Sequence, residues 1–139
     1  MDNPPFLTVK VLVHAPLQKV WDMYTQAGHI IHWNFASEDW HCPKAFNDLS
    51  DGGKFSWHMA AKDRSFAFDF EGHFLKVIPL KSIEYEIADG RKVHLIFEKT
   101  GDEVLVTEKF QPESQNPAEL QQSGWQAILN NFKKYAESH

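Results

Sequence analysis

Glu108 is the residue whose placement could carry chemistry. It stands in phase with Val104, Val106 and Phe110, so a strand here turns its carboxylate to the same side as three apolar side chains. A charge on an apolar face needs a partner, and burial raises a carboxyl pKa toward the range of a general base. Glu108 therefore reads as a polar anchor for a ligand or as a base, unless it lies near a strand end and reaches water.

The other reactive side chains have simpler readings. His41, Cys42 and His58, with Glu38 or Asp39, are types that ligate zinc or form a Cys–His nucleophile. Adjacent residues on an extended segment point apart, however, and no C-x-x-C or H-E-x-x-H spacing occurs, so neither a metal nor a cofactor is expected. Cys42 reads as a small buried hydrophobe. His29 and His32 fit one helical face and read as solvated or hydrogen-bonded. Asp69 and Glu71 alternate with phenylalanines and belong on an outer face. Gly52-Gly53 lacks the following Lys-Ser/Thr of a phosphate loop and precedes a strand, so it marks a sharp turn.

Aromatic residues make up 14% of the chain, with five Trp and eleven Phe. Trp57, Phe68, Phe70 and Trp125 form the set expected to face inward, joined by Trp33 and Trp40, with Leu129 beside Trp125 on the same helical stripe. As pocket lining they supply rigid apolar area and indole N–H groups. As ordinary core they only fill space. The residues alone leave both readings open.

These side chains need elements to position them. Phe6–His14 predicts a strand with Leu7, Val9, Val11 and Val13 on one face. Ala15-Pro16 ends it, with Pro16 at the first position of a helix striped by Leu17, Val20, Trp21 and Tyr24. Gly28 interrupts that pattern, and residues 29–33 predict a second short helix or irregular turns. Residues 35–46 predict a short strand flanked by loops. From Phe55 onward the period is two, through Phe55/Trp57/Met59, Phe66/Phe68/Phe70/Phe74, Ile83/Tyr85/Ile87, Val93/Leu95/Phe97 and Val104/Val106, with hairpin signals at Asp89-Gly90 and Gly101-Asp102. Asn116-Pro117-Ala118-Glu119 reads as an N-cap and a first helical Pro. The following stripe is Trp125, Ile128, Leu129, Phe132 and Tyr135. Such a helix, roughly 30 Å long, is able to cover the apolar face of a sheet. The expectation is one α+β domain over residues 1–139.

Composition narrows the function. Fourteen basic and nineteen acidic residues give a net charge of -5, which argues against a nucleic-acid partner. The one dense basic pair, Lys133-Lys134, reads as a charge–dipole interaction in a last helical turn. A single cysteine excludes an internal disulfide and fits a reducing, cytoplasmic setting. Met1–Pro5 carries no basic region followed by an apolar run, so no signal peptide is expected, and no apolar stretch approaches a membrane span.

Three strings resemble the START/Bet v 1-like superfamily, and within it the small proteins related to the C-terminal domain of the activator of Hsp90 ATPase. They are VLVHAPLQKVWDMYT from Val11, LSDGGKF from Leu49 with the later EGHFLKVIPLKSIEYE, and the terminal GWQAILNNFKKY; Trp33 matches the Trp that ends the second short helix. The resemblance implies a helix-grip fold, a seven-stranded antiparallel sheet around the C-terminal helix with two short helices after the first strand. Relatives bind lipids, sterols, polyketides or other apolar molecules, some are enzymes, and the Hsp90-activator branch binds a chaperone. No universal catalytic motif accompanies the family.

The leading expectation is a binder of a small apolar or amphipathic molecule. The alternatives are a protein-interaction module of the Hsp90-activator type, with residues 36–47 as an exposed patch, and an enzyme using Glu108 on a hydrophobic substrate. A homodimer is compatible with the chain, though no register or symmetry clue points to one.

Overall fold

The computed structural model describes residues 6–139; the Met1–Pro5 reading lies outside them. Strand β1 (Leu7–Val13) leads into α1 (Leu17–Thr25) and α2 (Ala27–Ile30). Strands β2 (Trp40–Asn47), β3 (Lys54–Ala61), β4 (Ala67–Ile78), β5 (Ser82–Ile87), β6 (Lys92–Thr100) and β7 (Glu103–Phe110) follow, then α3 (Ala118–Ser138). The seven strands form one antiparallel sheet in the order β1-β7-β6-β5-β4-β3-β2. Tight turns make β2 to β7 a meander, while the two helices carry the chain across the sheet, so that β1 pairs with β7. This is the helix-grip architecture.

Alternation sets which side chains the sheet turns inward. Val9, Val11 and Val13 of β1, Ile83, Tyr85 and Ile87 of β5, Val93, Leu95 and Phe97 of β6, and Val104, Val106 and Phe110 of β7 are all buried. Their register places them in rows on one concave face. The stripe of α3 descends onto that face, where Leu129, Phe132 and Ala136 are buried with 1% exposure or less. Each large side chain of this kind contributes about 1.5–3 kcal/mol by leaving water. Phe132 packs edge-on against Tyr24 and Trp33, both at 4.9 Å between ring centroids, which locks α3 to α1 and the turn after α2.

Polar side chains of α3 also close the free edge of β1. Gln122 Nε2 donates to Thr8 O, Gln126 Nε2 donates to Lys10 O, and Lys133 Nζ donates to Leu12 O; Gln126 Oε1 and Glu137 Oε2 accept from the Lys10 and His14 amides. These are the even-numbered residues whose backbone groups point away from β7. A helix therefore supplies partners that a neighbouring strand would otherwise supply.

Several local expectations shift. Pro16 and Pro117 sit at the N-cap positions, one residue before each helix, and neither helix has a side-chain cap, so Asn116 is not the cap of α3. Gly28 lies inside α2. Lys133 stands more than a turn before the end of α3 and pairs with Glu137 and Leu12 O, which replaces the charge–dipole reading. Residues 40–47 make a full edge strand, its register broken between His41 and Lys44 by a bulge that hid the alternation. In β4 the phase also slips, between Phe74 and Lys76. Phe66 lies outside that strand and is 58% exposed. Gly72 is required where β4 meets β5, because a Cβ there would lie 2.0 Å from Glu86 O and 2.9 Å from the Phe55 ring.

Candidate functional site: an aromatic cavity with one carboxylate

The C-terminal half of α3 packs tightly, but the N-terminal half stands off the sheet. Beneath Leu120, Gln121, Gly124, Trp125 and Ile128 lies a cavity of about 380 Å³. Its floor is Trp57 and Met59 of β3, Phe68 and Phe70 of β4, Tyr85 of β5 and Glu108 of β7. Tyr24 of α1 and Ile30, Trp33, Asn34 and Ala36 of the α2 region close its end. It reaches the surface beside Phe68 and Leu120, which are 41% and 61% exposed.

Bulky rings hold the two layers apart. Trp125 stacks on Phe110 at 4.1 Å with an interplanar angle of 5° and meets Phe70 edge-on at 6.1 Å. Trp57 stacks on Phe70 at 5.5 Å and on Phe55 at 4.5 Å. Because these rings lean on one another, they form rigid walls that keep the gap open. Two indole N–H groups are already satisfied: Trp33 Nε1 donates to Met23 O at 2.9 Å, and Trp57 Nε1 donates to Asn47 Oδ1 at 2.7 Å.

Glu108 faces inward, as its phase with Val104 and Val106 predicts, and is only 5% exposed. The Tyr24 hydroxyl donates to its Oε2 at 3.2 Å. Burial pushes the Glu108 carboxyl up to about 7, and the Tyr24 hydrogen bond only partly opposes this. Burial, followed by the charge of Glu108, raises the Tyr24 and Tyr85 hydroxyls well above their ordinary range. No Lys, Arg or His lines the cavity among the described residues.

Of the residues expected to bind a ligand, Trp33, Trp57, Phe68, Phe70, Glu108 and Trp125 come together on this cavity. Two do not. Leu129 points one helical position away, into the closed core at 1% exposure. Trp40 lies behind the wall, packed on Phe66 and Phe68 at 6.0 and 6.1 Å. Tyr24, Tyr85, Met59 and Gly124 belong to the site and were not in the expected set. Tyr24 and Tyr85 sit in phase in a helical stripe and a strand, so the sequence did carry a signal for them. Gly124 had none, since a helical glycine marks a hollow only once its helix is docked.

The remaining reactive groups lie elsewhere. Cys42 is buried on β2 with its thiol pushed up to about 11 by desolvation. Asp69 lies on the outer face and pairs with His58. His29 shares a hydrogen bond with the Tyr135 hydroxyl at 2.7 Å, and His32 stacks on the same ring at 5.7 Å.

The sequence profile of the Activator of Hsp90 ATPase homolog 1-like proteins matches residues 14–137. The chain belongs to this family. This AHSA1-like chain is 36% identical to the AHSA1-like protein from Aeromonas hydrophila, whose solution structure superposes with a TM-score of 0.87 over 95% of this chain and 93% of that one. It is 52% identical to a protein of solved structure from Cytophaga hutchinsonii, with a TM-score of 0.83 and coverage of 96% and 92%. The Aha1 dimer from Colwellia psychrerythraea shares the fold at 14% identity, with a TM-score of 0.71 and coverage of 95% and 96%. Comparison with curated proteins gave no significant match. In this chain the fold leaves a cavity between sheet and helix, and Glu108 is the one carboxylate lining it among the described residues.

Proposed function

We propose that the chain works as one START/Bet v 1-like domain that reversibly binds a small apolar or amphipathic molecule between its sheet and α3. The observation that carries this reading is the wall of Trp33, Trp57, Phe70 and Trp125 around a cavity of about 380 Å³. That volume falls within the roughly 300–1,000 Å³ range of small-molecule sites. Apolar area supplies most of the affinity and Glu108 orients the ligand. Catalysis is less well supported. The titratable groups facing Glu108, Tyr24 and Tyr85, hold their protons more tightly than usual, so neither offers a readily released proton to complement it.

Native mass spectrometry of the purified protein, with displacement of an environment-sensitive apolar dye, tests the binding reading. A retained small molecule or displaceable dye supports it. No retained mass and no dye uptake contradicts it.

A second reading, contact with a chaperone, draws on the family and on two exposed rings, Phe46 at 59% and Phe66 at 58%. Titration against an Hsp90 middle domain tests it, and absence of binding at about tens of micromolar, an affinity near -6 kcal/mol, argues against it.

A further inference from the structure

The ligand-binding reading leaves open what polar group the ligand carries, and the distribution of donors and acceptors in the cavity bears on that question. A fatty acid or other anion would need a cation. Among the described residues no Lys, Arg or His lines the cavity, and the N–H groups of Trp33 and Trp57 and the hydroxyl of Tyr24 are already committed to Met23 O, Asn47 Oδ1 and Glu108 Oε2; the Trp125 indole N–H and the Tyr85 hydroxyl are left as neutral donors, and neither supplies the positive charge an anion beside Glu108 would need. The acceptor side is the reverse. Glu108 receives one hydrogen bond, on Oε2, and Tyr24 is its only donor among the described residues. Its Oε1 therefore has capacity to spare in a residue 5% exposed and lining the cavity.

Around that oxygen the walls are aromatic. Tyr24, Trp33, Trp57, Phe70, Tyr85 and Trp125 all contribute to the same cavity. Ring faces carry negative charge density and attract a desolvated cation, and a carboxylate completes such a site.

We infer, on the basis of the ligand-binding reading above, that the cavity selects a hydrophobic amine, with the ammonium hydrogen-bonded to Glu108 and the apolar body among the aromatic rings. The ammonium supplies the donors that Glu108 lacks and neutralises its charge. A carboxylate ligand would place a second negative charge beside Glu108 with no cation in the lining to offset either.

The titratable groups facing Glu108 are Tyr24 from α1 and Tyr85 from β5. Its sheet neighbours, Val9 of β1 and Leu95 of β6, are apolar, and Gln121, Gly124, Trp125 and Ile128 of α3 are neutral. The pH dependence of amine binding near neutrality accordingly belongs to Glu108. Affinity rises as its carboxyl ionises.

Calorimetric titration with three probes of one shape, naphthylethylamine, naphthylethanol and naphthylacetate, tests this. At about pH 8 the amine binds roughly tenfold more tightly than the alcohol, and the carboxylate binds most weakly, the scale expected of one charge-assisted hydrogen bond. Glu108→Gln removes the preference for the amine over the alcohol. Tyr24→Phe keeps the carboxylate and moves the pH midpoint of amine binding upward, which gives a second test should Glu108→Gln fail to fold. Equal affinity for all three probes, or a preference for the carboxylate, overturns the inference and leaves the cavity reading standing. Failure of every probe to bind overturns both.

Discussion

The Tyr24 hydroxyl and the Glu108 carboxylate, 84 positions apart, meet at 3.2 Å in the interior and join α1 to β7 at the end of an aromatic cavity. This contact gives the carboxylate its protein partner and leaves it half-satisfied. Both its stability and its binding consequences follow from that.

Stability should fall as the pH rises through neutrality. Glu108 has a folded pKa of about 7 against an ordinary 4.5, so between these values the folded state holds more protons than the unfolded one. The stabilisation is complete below about 4.5, is lost as pH rises and is gone above about 7, a change on the order of 3 kcal/mol. Glu108→Gln should flatten this slope and raise the melting temperature by several degrees at pH 8, with little change near pH 4. Thermal unfolding across pH measures it; parallel profiles for variant and wild type would contradict it.

Tyr24→Phe should cost about 1–3 kcal/mol, because it strips a buried carboxylate of its donor. The Tyr24 hydrogen bond lowers the Glu108 pKa, so the variant should titrate at higher pH. Carbon-detected NMR of the Glu108 side chain reads the shift directly, and an unmoved midpoint would show that the contact does not influence the ionisation.

Gln126 clasps Lys10 at both N–H and C=O. Gln126→Ala should cost about 1 kcal/mol and accelerate amide exchange at Lys10, one of the groups that β1 turns outward. Exchange unchanged at Lys10 would mean that water replaces the clasp without loss.

Gly124 lines the cavity, and a Cβ added there meets nothing within 4 Å. Gly124→Ala should stabilise α3 by roughly 0.5–1 kcal/mol through helix propensity alone. Gly124→Leu should fold equally well and abolish ligand uptake by occupying the hollow. Uptake that survives in the leucine variant would place the ligand elsewhere.

Much of this was legible in the chain. Period-two alternation from Val93 to Phe110 placed Glu108 among inward side chains, and the stripe from Trp125 to Tyr135 identified the covering helix. What alternation could not convey was depth. Phe68 and Phe70 share a face, yet the first is 41% exposed at the rim and the second lies deeper, because α3 covers only part of β4. Trp40 and Leu129 failed as cavity residues for related reasons. A bulge in β2 breaks the register that would have located Trp40, and on α3 only one helical position separates the cavity wall at Ile128 from the closed core at Leu129. Side-chain phase was encoded locally, whereas the separation of helix from sheet depended on rings from four elements meeting at once.

The most direct check is to follow the five indole resonances by NMR while a neutral apolar ligand is added. Trp33, Trp57 and Trp125 line the cavity, while Trp21 packs edge-on against Phe97 and does not. Saturable shifts at the first three and a steady signal from Trp21 are expected. Shifts confined to Trp40, or none at any indole, would contradict binding in the cavity.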